Sequence, residues 1–203
     1  MYRTLILFLA LSYTLNTNAQ DSLIIADIKA FQQALNEEYK NRDESPLNQK
    51  DFNSFTSHDF FPIDLKYHVV ATFVRTPNQK PFEMLTTANR TKTYEKYGEV
   101  YFELDSSVVV LNIYQSHTLR ETEEYKDYLF LPFKDPTNGN ETYGGGRYID
   151  LRIPENDKMV IDFNKAYNPY CAYNTGYACP LVPKENHLDI PIYAGVKDFK
   201  KGN

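Results

Sequence analysis

The chain has 203 residues, a formal net charge of −5, and an aromatic fraction of 15% that comes from 17 tyrosines and 13 phenylalanines. No basic cluster offsets the negative charge, which excludes the usual basic surface of a nucleic-acid-binding protein. So many tyrosines indicate either a core with many hydrogen-bonded phenols or a tyrosine-lined binding surface.

The first 19 residues have the layout of a secretory signal peptide. Arg3 supplies positive charge, residues 5–13 form an apolar run, and small and polar residues end at Ala19. The run is shorter than the ~20 residues of a membrane-spanning helix, so no membrane span is expected. We expect cleavage after Ala19 and a periplasmic or secreted protein. The alternative is an uncleaved N-terminal helix.

Residues 20–55 are predicted to form an N-terminal helix and a connector. Apolar side chains recur at spacings of three and four residues from Asp21 onward, which gives one packing stripe. The segment 41–55 is polar and contains Pro46, as is typical of a connector. The stripe consists of Ile24, Ile28, Phe31, Leu35 and Tyr39.

The hydrophobic period changes to two in residues 56–198, which predicts a β-rich domain followed by a flexible tail at 199–203. Turn residues separate the apolar runs, and no βαβ rhythm appears. The fold class is therefore mainly β: an antiparallel barrel or sandwich with an N-terminal amphipathic helix packed outside it. The strand-like runs are 66–76, 98–104, 108–114, 127–133, 147–153, 159–163 and 187–193.

A glycine-rich turn, Gly144-Gly145-Gly146, is the first candidate site. Glycines permit positive φ and close backbone approach, and a run of free N–H groups beside Arg147 could hold a carboxylate or phosphate. The strand–loop–helix context of a nucleotide loop does not follow. The alternative is a bulge or a tight turn into a strand.

Arg147 has the same strand parity as Ile149 and Leu151. If that face points inward, the guanidinium needs a ligand or a structural ion pair, because an unpaired buried charge is very costly. The candidate partners in an ion pair are Asp127, Asp135 and Asp162.

The segment 161–186 is the second candidate site, because it combines polar side chains, tyrosines and rigid prolines. Such a loop suits a ligand pocket, or it is a long loop that satisfies its own backbone. Together with the glycine turn and Arg147, its candidate ligand-binding residues are Asp162, Asn164, Tyr167, Asn168, Tyr170, Glu185 and Asn186.

Cys171 and Cys179 are the only cysteines, and in an exported chain they predict a disulfide. A metal site is less favoured because His187 alone lies nearby in sequence. No histidine is placed to activate a catalytic cysteine. We therefore predict neither a metal nor a cofactor.

An enzymatic function is a further alternative. The histidines form no metal-binding spacing, and the GxSxG motif of serine hydrolases is missing. Asp150, Asp162 and Glu185 could meet in space for glycoside chemistry, and we name Asp162 and Glu185 as candidate general acid or base.

Several stretches, among them YGEVYF, DYLFLPFKDPTNGNETYGGGRYIDL and IDFNKAYNPYCAYNTGYACPLVPKEN, resemble an uncharacterised bacterial family, domain of unknown function 1684 (DUF1684). The resemblance covers roughly Phe31 to Lys197 and looks like the short, exported form. It implies a periplasmic or secreted bacterial protein and no assigned activity. Longer relatives, some without an export signal, are similar at both cysteines.

Three hypotheses follow. The first is a binding module in which residues 143–147 and 162–186 face one pocket for a sugar or carboxylate, with Arg147 as the anion partner. The second is a hydrolase or metal-assisted enzyme that uses the 162–187 loop. The third is a structural or interaction protein without a pocket, and protein partners are unknown.

Overall fold

The computed structural model describes the backbone of residues 2–88 and 90–199, with side chains from Ala19 onward. Residues 1–18 of the predicted signal peptide and residues 200–203 of the predicted tail lie outside the residues described in full. Phe199, the first residue of that tail, packs on Tyr173 with ring centroids 5.0 Å apart. Within the described part of the chain, no helix combines the length and apolar character that crossing a bilayer requires.

Helix α1 spans Tyr2–Lys40, and the short helix α2 spans Gln49–Ser54. The predicted stripe on α1 is buried at Ile28, Leu35 and Tyr39. Helix α2 lies in the segment predicted to be a connector. It forms because Asn48 caps it: the Oδ1 atom of Asn48 accepts the backbone N–H of Asp51 at 3.0 Å.

Seven strands form one curled antiparallel sheet in the shape of a half-barrel, and the predicted mainly β fold is confirmed. The strand order is β6-β5-β4-β3-β1-β7, and β2 pairs with β3. The strands are β1 (His68–Arg75), β2 (Phe82–Leu85), β3 (Thr91–Leu104), β4 (Ser107–Ser116), β5 (Tyr128–Phe133), β6 (Arg147–Arg152) and β7 (Lys158–Asp162).

Both faces of the sheet carry buried apolar side chains. The inner face holds the main core, in which Val100, Leu111 and Leu131 are fully buried. Alternate residues of β5 and β6 point to the outer face, where Phe130 and Tyr148 belong to a second, aromatic cluster. A third cluster joins the α1 stripe to the loop after β7. Its buried members are Leu35, Tyr39, Leu47, Ala172 and Tyr173.

Two parts of the strand prediction are corrected. Residues 187–193 form no strand, because Pro191 has no N–H to donate and the segment makes a single bridge, between Lys134 and His187. The side chains of this segment still pack, and Ile192 is fully buried. Strand β2 and the first half of β3 were not predicted, since few of their residues are buried.

Candidate functional site

A cavity of about 570 Å³ opens on the outer face of the sheet. Strands β3, β5 and β6 form its floor, α1 forms one wall, and residues 167–180 of the loop after β7 form another. The side chains on its surface are mainly aromatic, with two carboxylates and one lysine. They include Phe31, Leu35, Glu38, Lys92, Tyr94, Tyr128, Phe130, Tyr148, Asp150, Tyr167, Tyr170 and Tyr177.

Asp150 lies on the floor, on β6, directly opposite Phe130 of β5. Its Oδ1 atom accepts two phenol protons, from Tyr128 at 2.7 Å and from Tyr167 at 2.6 Å. No other residue in the described part of the chain donates a hydrogen bond to this carboxylate. The two phenols fix its orientation and leave Oδ2 free to accept from a molecule in the cavity.

The walls of the cavity shift the pKa values of the groups on its floor. Asp150 is exposed to the cavity, yet the walls displace most of its water, and this loss of solvation raises the pKa of its carboxyl. The two phenol hydrogen bonds and the charge of Arg152 oppose the rise without cancelling it. The pKa values of Tyr128 and Tyr167 lie well above the usual range, first because of burial and then because of the charge of Asp150. Both phenols therefore remain donors at neutral pH.

Helix α1 contributes a second carboxylate to the cavity. Glu38 accepts the phenol proton of Tyr170 at 2.8 Å, which ties the helix to the loop after β7. Burial and this hydrogen bond raise the pKa of Tyr170. Lys92, on β3, is the single basic residue among the described cavity-lining residues, and it is exposed.

The loop that forms one wall is fixed to the sheet by hydrogen bonds. The backbones of Tyr148 and Tyr167 exchange two hydrogen bonds, at 2.9 and 3.0 Å, and the phenol of Tyr148 donates to the carbonyl of Pro180. Thr87 adds a third attachment, because its backbone N–H donates to the carbonyl of Cys179 at 3.0 Å. These hydrogen bonds therefore hold the loop in a fixed position against the sheet.

The predicted disulfide between Cys171 and Cys179 is present, and it closes this same wall. The two sulfurs bond to each other, and His187, the third member of the alternative metal site, lies exposed on another segment. Among the described residues, no group of three or more histidine, cysteine or acidic side chains is placed to hold a metal ion.

Arg147 lies on the inner face of β6, fully buried. It forms the structural ion pair that was one of the two expectations: its guanidinium bonds to Asp135 at 2.9 Å and donates to the carbonyls of Ile192 and Ala194. The opposite side of the sheet carries the cavity, so the structure does not bring Arg147 to it.

The glycine turn also lies away from the cavity lining. Gly146 has φ +96°, and a Cβ added there would lie 2.7 Å from the carbonyl oxygen of Phe133. Neither Gly144 nor Gly145 lines the cavity. The turn therefore fits the alternative expectation, a tight start to strand β6.

The polar residues predicted in the second candidate site mostly bond to the protein itself. Asp162 pairs with His68 at 2.8 Å, and Asn164 bonds to the backbone of Asp64. Asn168 donates to the carbonyl of Lys197 at 2.9 Å.

Asn186 and Glu185 complete this set. The amide of Asn186 joins the backbones of Asn112 and Pro132, whereas Glu185 is exposed and does not line the cavity. Asp162 does not line the cavity either. Of the predicted ligand-binding residues, Tyr167 and Tyr170 are those that line the cavity.

Sequence reasoning did not single out the floor of the cavity. Asp150 was named as one of three carboxylates that could meet, and Glu38, Tyr94, Tyr128 and Tyr148 were not named. One signal was present: the outward-parity residues of β5 and β6 include Tyr128, Phe130 and Tyr148, which indicates a second buried face beside Asp150.

Comparisons with known proteins give a family and a fold without an activity. The family model described as "Protein of unknown function (DUF1684)" matches residues 53–197. A solution NMR structure of an uncharacterised protein from Haloarcula marismortui is similar, with 28% identity and a TM-score of 0.68. The match covers 90% of this chain and 96% of that one. No curated protein matches the sequence.

Proposed function

The chain belongs to the DUF1684 family of proteins of unknown function, and we propose that it binds a small polar ligand in the cavity above Asp150. The observation that carries the proposal is a carboxylate held by two phenols, with its second oxygen open to an aromatic cavity. A few fixed polar groups within apolar walls are typical of small-molecule sites, and about 570 Å³ is an ordinary volume for one.

The position of the charges favours one of the two ligand classes expected from the sequence. A carboxylate ligand was expected to pair with Arg147, but that guanidinium is sealed in the core by Asp135. In the cavity such a ligand would meet Asp150 and Glu38, which repel it. The site therefore favours a ligand that brings N–H or O–H donors to Asp150, as a sugar or another polar molecule does.

A second part of the proposal is export. The disulfide supports it, because such bonds persist in oxidising compartments. Sequencing the N-terminus of protein recovered from a periplasmic or culture fraction tests it. The expected first residue is Gln20. Recovery of the chain solely from the cytoplasm with its first residues intact would contradict it.

A ligand screen followed by one substitution tests the binding function. We expect hits from a thermal-shift screen of polar metabolites, and we expect Asp150→Asn to weaken every hit, because the substitution removes the charged acceptor and keeps the shape. Asp189→Asn is the matched control, since Asp189 is exposed and outside the cavity. Equal weakening by both variants, or by neither, would refute the proposed site.

A further inference from the structure

Most of the phenol donors in the cavity are already used by the protein, whereas carboxylate acceptors remain open. This difference indicates which hydrogen-bonding groups the ligand carries. Four of the tyrosines that line it already donate their phenol protons to protein acceptors. Tyr128 and Tyr167 donate to Asp150, Tyr170 donates to Glu38, and Tyr148 donates to the carbonyl of Pro180. Their hydroxyl oxygens can still accept, but their protons are taken.

The acceptors, in contrast, are in excess. Oδ2 of Asp150 receives no hydrogen bond from the described residues, and Glu38 receives one, at Oε1. Two carboxylates, Asp150 and Glu38, and one lysine, Lys92, line the cavity, so acidic groups outnumber basic groups there. A sugar presents acceptors as well as donors, so its hydroxyl oxygens depend on the remaining donors of the lining, among them the ammonium group of Lys92. An ammonium group presents donors and no acceptor, and it complements this lining.

The arrangement of the rings adds a second, independent observation. Tyr148 and Tyr167 meet edge to face at 88°, with centroids 5.9 Å apart, and Tyr170 and Tyr177 meet at 63° and 5.2 Å. All four of these rings line the cavity, so the two pairs present aromatic surface to one space. The negative face of an aromatic ring attracts a cation, and several aromatic rings around one space are a recurrent site for ammonium ligands.

We propose that the ligand is a protonated amine, with its ammonium group on Oδ2 of Asp150 and its apolar body against the tyrosines. This inference rests on the proposed binding function and narrows it to one chemical class. The body is apolar because the remaining lining is apolar, with Phe31 and Leu35 on the α1 wall and Phe130 on the floor. An amine that bears an aromatic or aliphatic chain complements both the carboxylate of Asp150 and the apolar part of the lining.

Four probes of similar size distinguish the possibilities by isothermal titration calorimetry on the full chain. They are 2-phenylethylamine, the neutral 2-phenylethanol, the anionic phenylacetate and a methyl glycoside. We expect the amine to bind at least about tenfold more tightly than the alcohol of the same shape, and the anion to bind more weakly still. Asp150→Asn should remove the preference for the amine, and Asp189→Asn should leave it unchanged.

Glu38→Gln provides a second variant on a different element, in case the floor does not tolerate substitution. It keeps an acceptor for Tyr170 and removes one negative charge, so it should weaken the amine by a smaller factor and leave the alcohol unaffected. If the methyl glycoside binds in a manner that depends on Asp150 and the amine does not, the amine inference is overturned and the binding function stands. If no probe responds to Asp150→Asn, both are overturned.

Discussion

Arg147 and Asp150 lie three residues apart on strand β6 and face opposite sides of the sheet. The guanidinium of Arg147 is fully buried and paired with Asp135 at 2.9 Å. The carboxylate of Asp150 faces the cavity and is held by phenols rather than by a cation. One strand thus carries a charge that is neutralised inside the fold and a charge that is available to a ligand.

Substitution of Arg147 tests the first role. Arg147→Met should lower the free energy of unfolding by about 3–5 kcal/mol, because it leaves Asp135 buried without its cation. Urea denaturation followed by circular dichroism measures the change. The matched control is Arg152→Met on the same strand, whose exposed pair with Asp127 should contribute no more than about 1 kcal/mol. Unchanged stability with lost ligand binding would place Arg147 in the binding site instead.

Substitution of Asp150 tests the second role through stability and pH. Its carboxyl has a raised pKa, so the folded chain binds this proton more tightly than the unfolded chain does. The stabilisation from protonation is complete below the ordinary pKa of an aspartate and is lost as pH rises through the raised value. Asp150→Asn should therefore increase the melting temperature at pH 7 without ligand, and the increase should vanish in acid.

The ligand makes this test sharper. An amine bound at Asp150 compensates the desolvated charge, so a fixed concentration of 2-phenylethylamine should raise the melting temperature of the wild type by more than that of the variant. A variant that is less stable than the wild type at pH 7 would show that Asp150 is a structural acceptor whose charge its two phenols fully offset.

Removal of the disulfide tests the wall of the cavity. Cys171→Ala combined with Cys179→Ala should lower the free energy of unfolding by about 2.5 kcal/mol, the loop-closure contribution for so short a loop. Tyr177 lies inside this loop and Tyr170 directly precedes it, so ligand affinity should fall as well. Reduction of the wild type with dithiothreitol should reproduce both effects. Full affinity in the double variant would show that the hydrogen bonds from Tyr148 and Thr87 hold the wall without it.

His58 should produce a second pH effect, of the opposite sign. Burial among aromatic rings lowers the pKa of its imidazole to about 4, while Nδ1 lies 2.9 Å from Oδ1 of Asn36. The unfolded chain binds this proton more tightly, so stability is complete above about pH 6.5 and is lost as pH falls towards 4. The loss should amount to up to about 3 kcal/mol.

Proton NMR titration of the imidazole measures the pKa of His58 directly. Denaturation at several pH values gives the matching change in stability, and His58→Gln should flatten it. A His58 titration near pH 6.5 would contradict the expected burial effect.

The sequence predicted the fold better than the site, for a physical reason. Alternation along a strand assigns each side chain to a face, and in the predicted strand 98–104 the alternate residues Val100, Phe102 and Leu104 do lie in the core. It does not say what covers the other face. That face is covered by α1 and by the loop after β7, which are distant in the chain, so the surroundings of Asp150 depend on tertiary packing that no local pattern encodes.

The polar residues of the segment 161–186 were predicted to bind a ligand, but most of them bond to the protein itself, for a related reason. Asn164, Asn168 and Asn186 have the side chains of a binding site, but they satisfy backbone groups of a long irregular segment. Composition alone does not distinguish these two uses. The disulfide was predictable because two cysteines eight residues apart leave a single intramolecular pairing.

The family match covers one part of the cavity lining and not the other. Asp150 and the tyrosines that hold it fall inside the matched residues 53–197, whereas the α1 wall precedes them. The carboxylate and the helical wall therefore belong to segments far apart in the chain, and the hydrogen bond from Tyr170 to Glu38 joins them at the cavity. A shift of the helix would change the shape of the cavity and leave the two phenol hydrogen bonds that hold Asp150 in place.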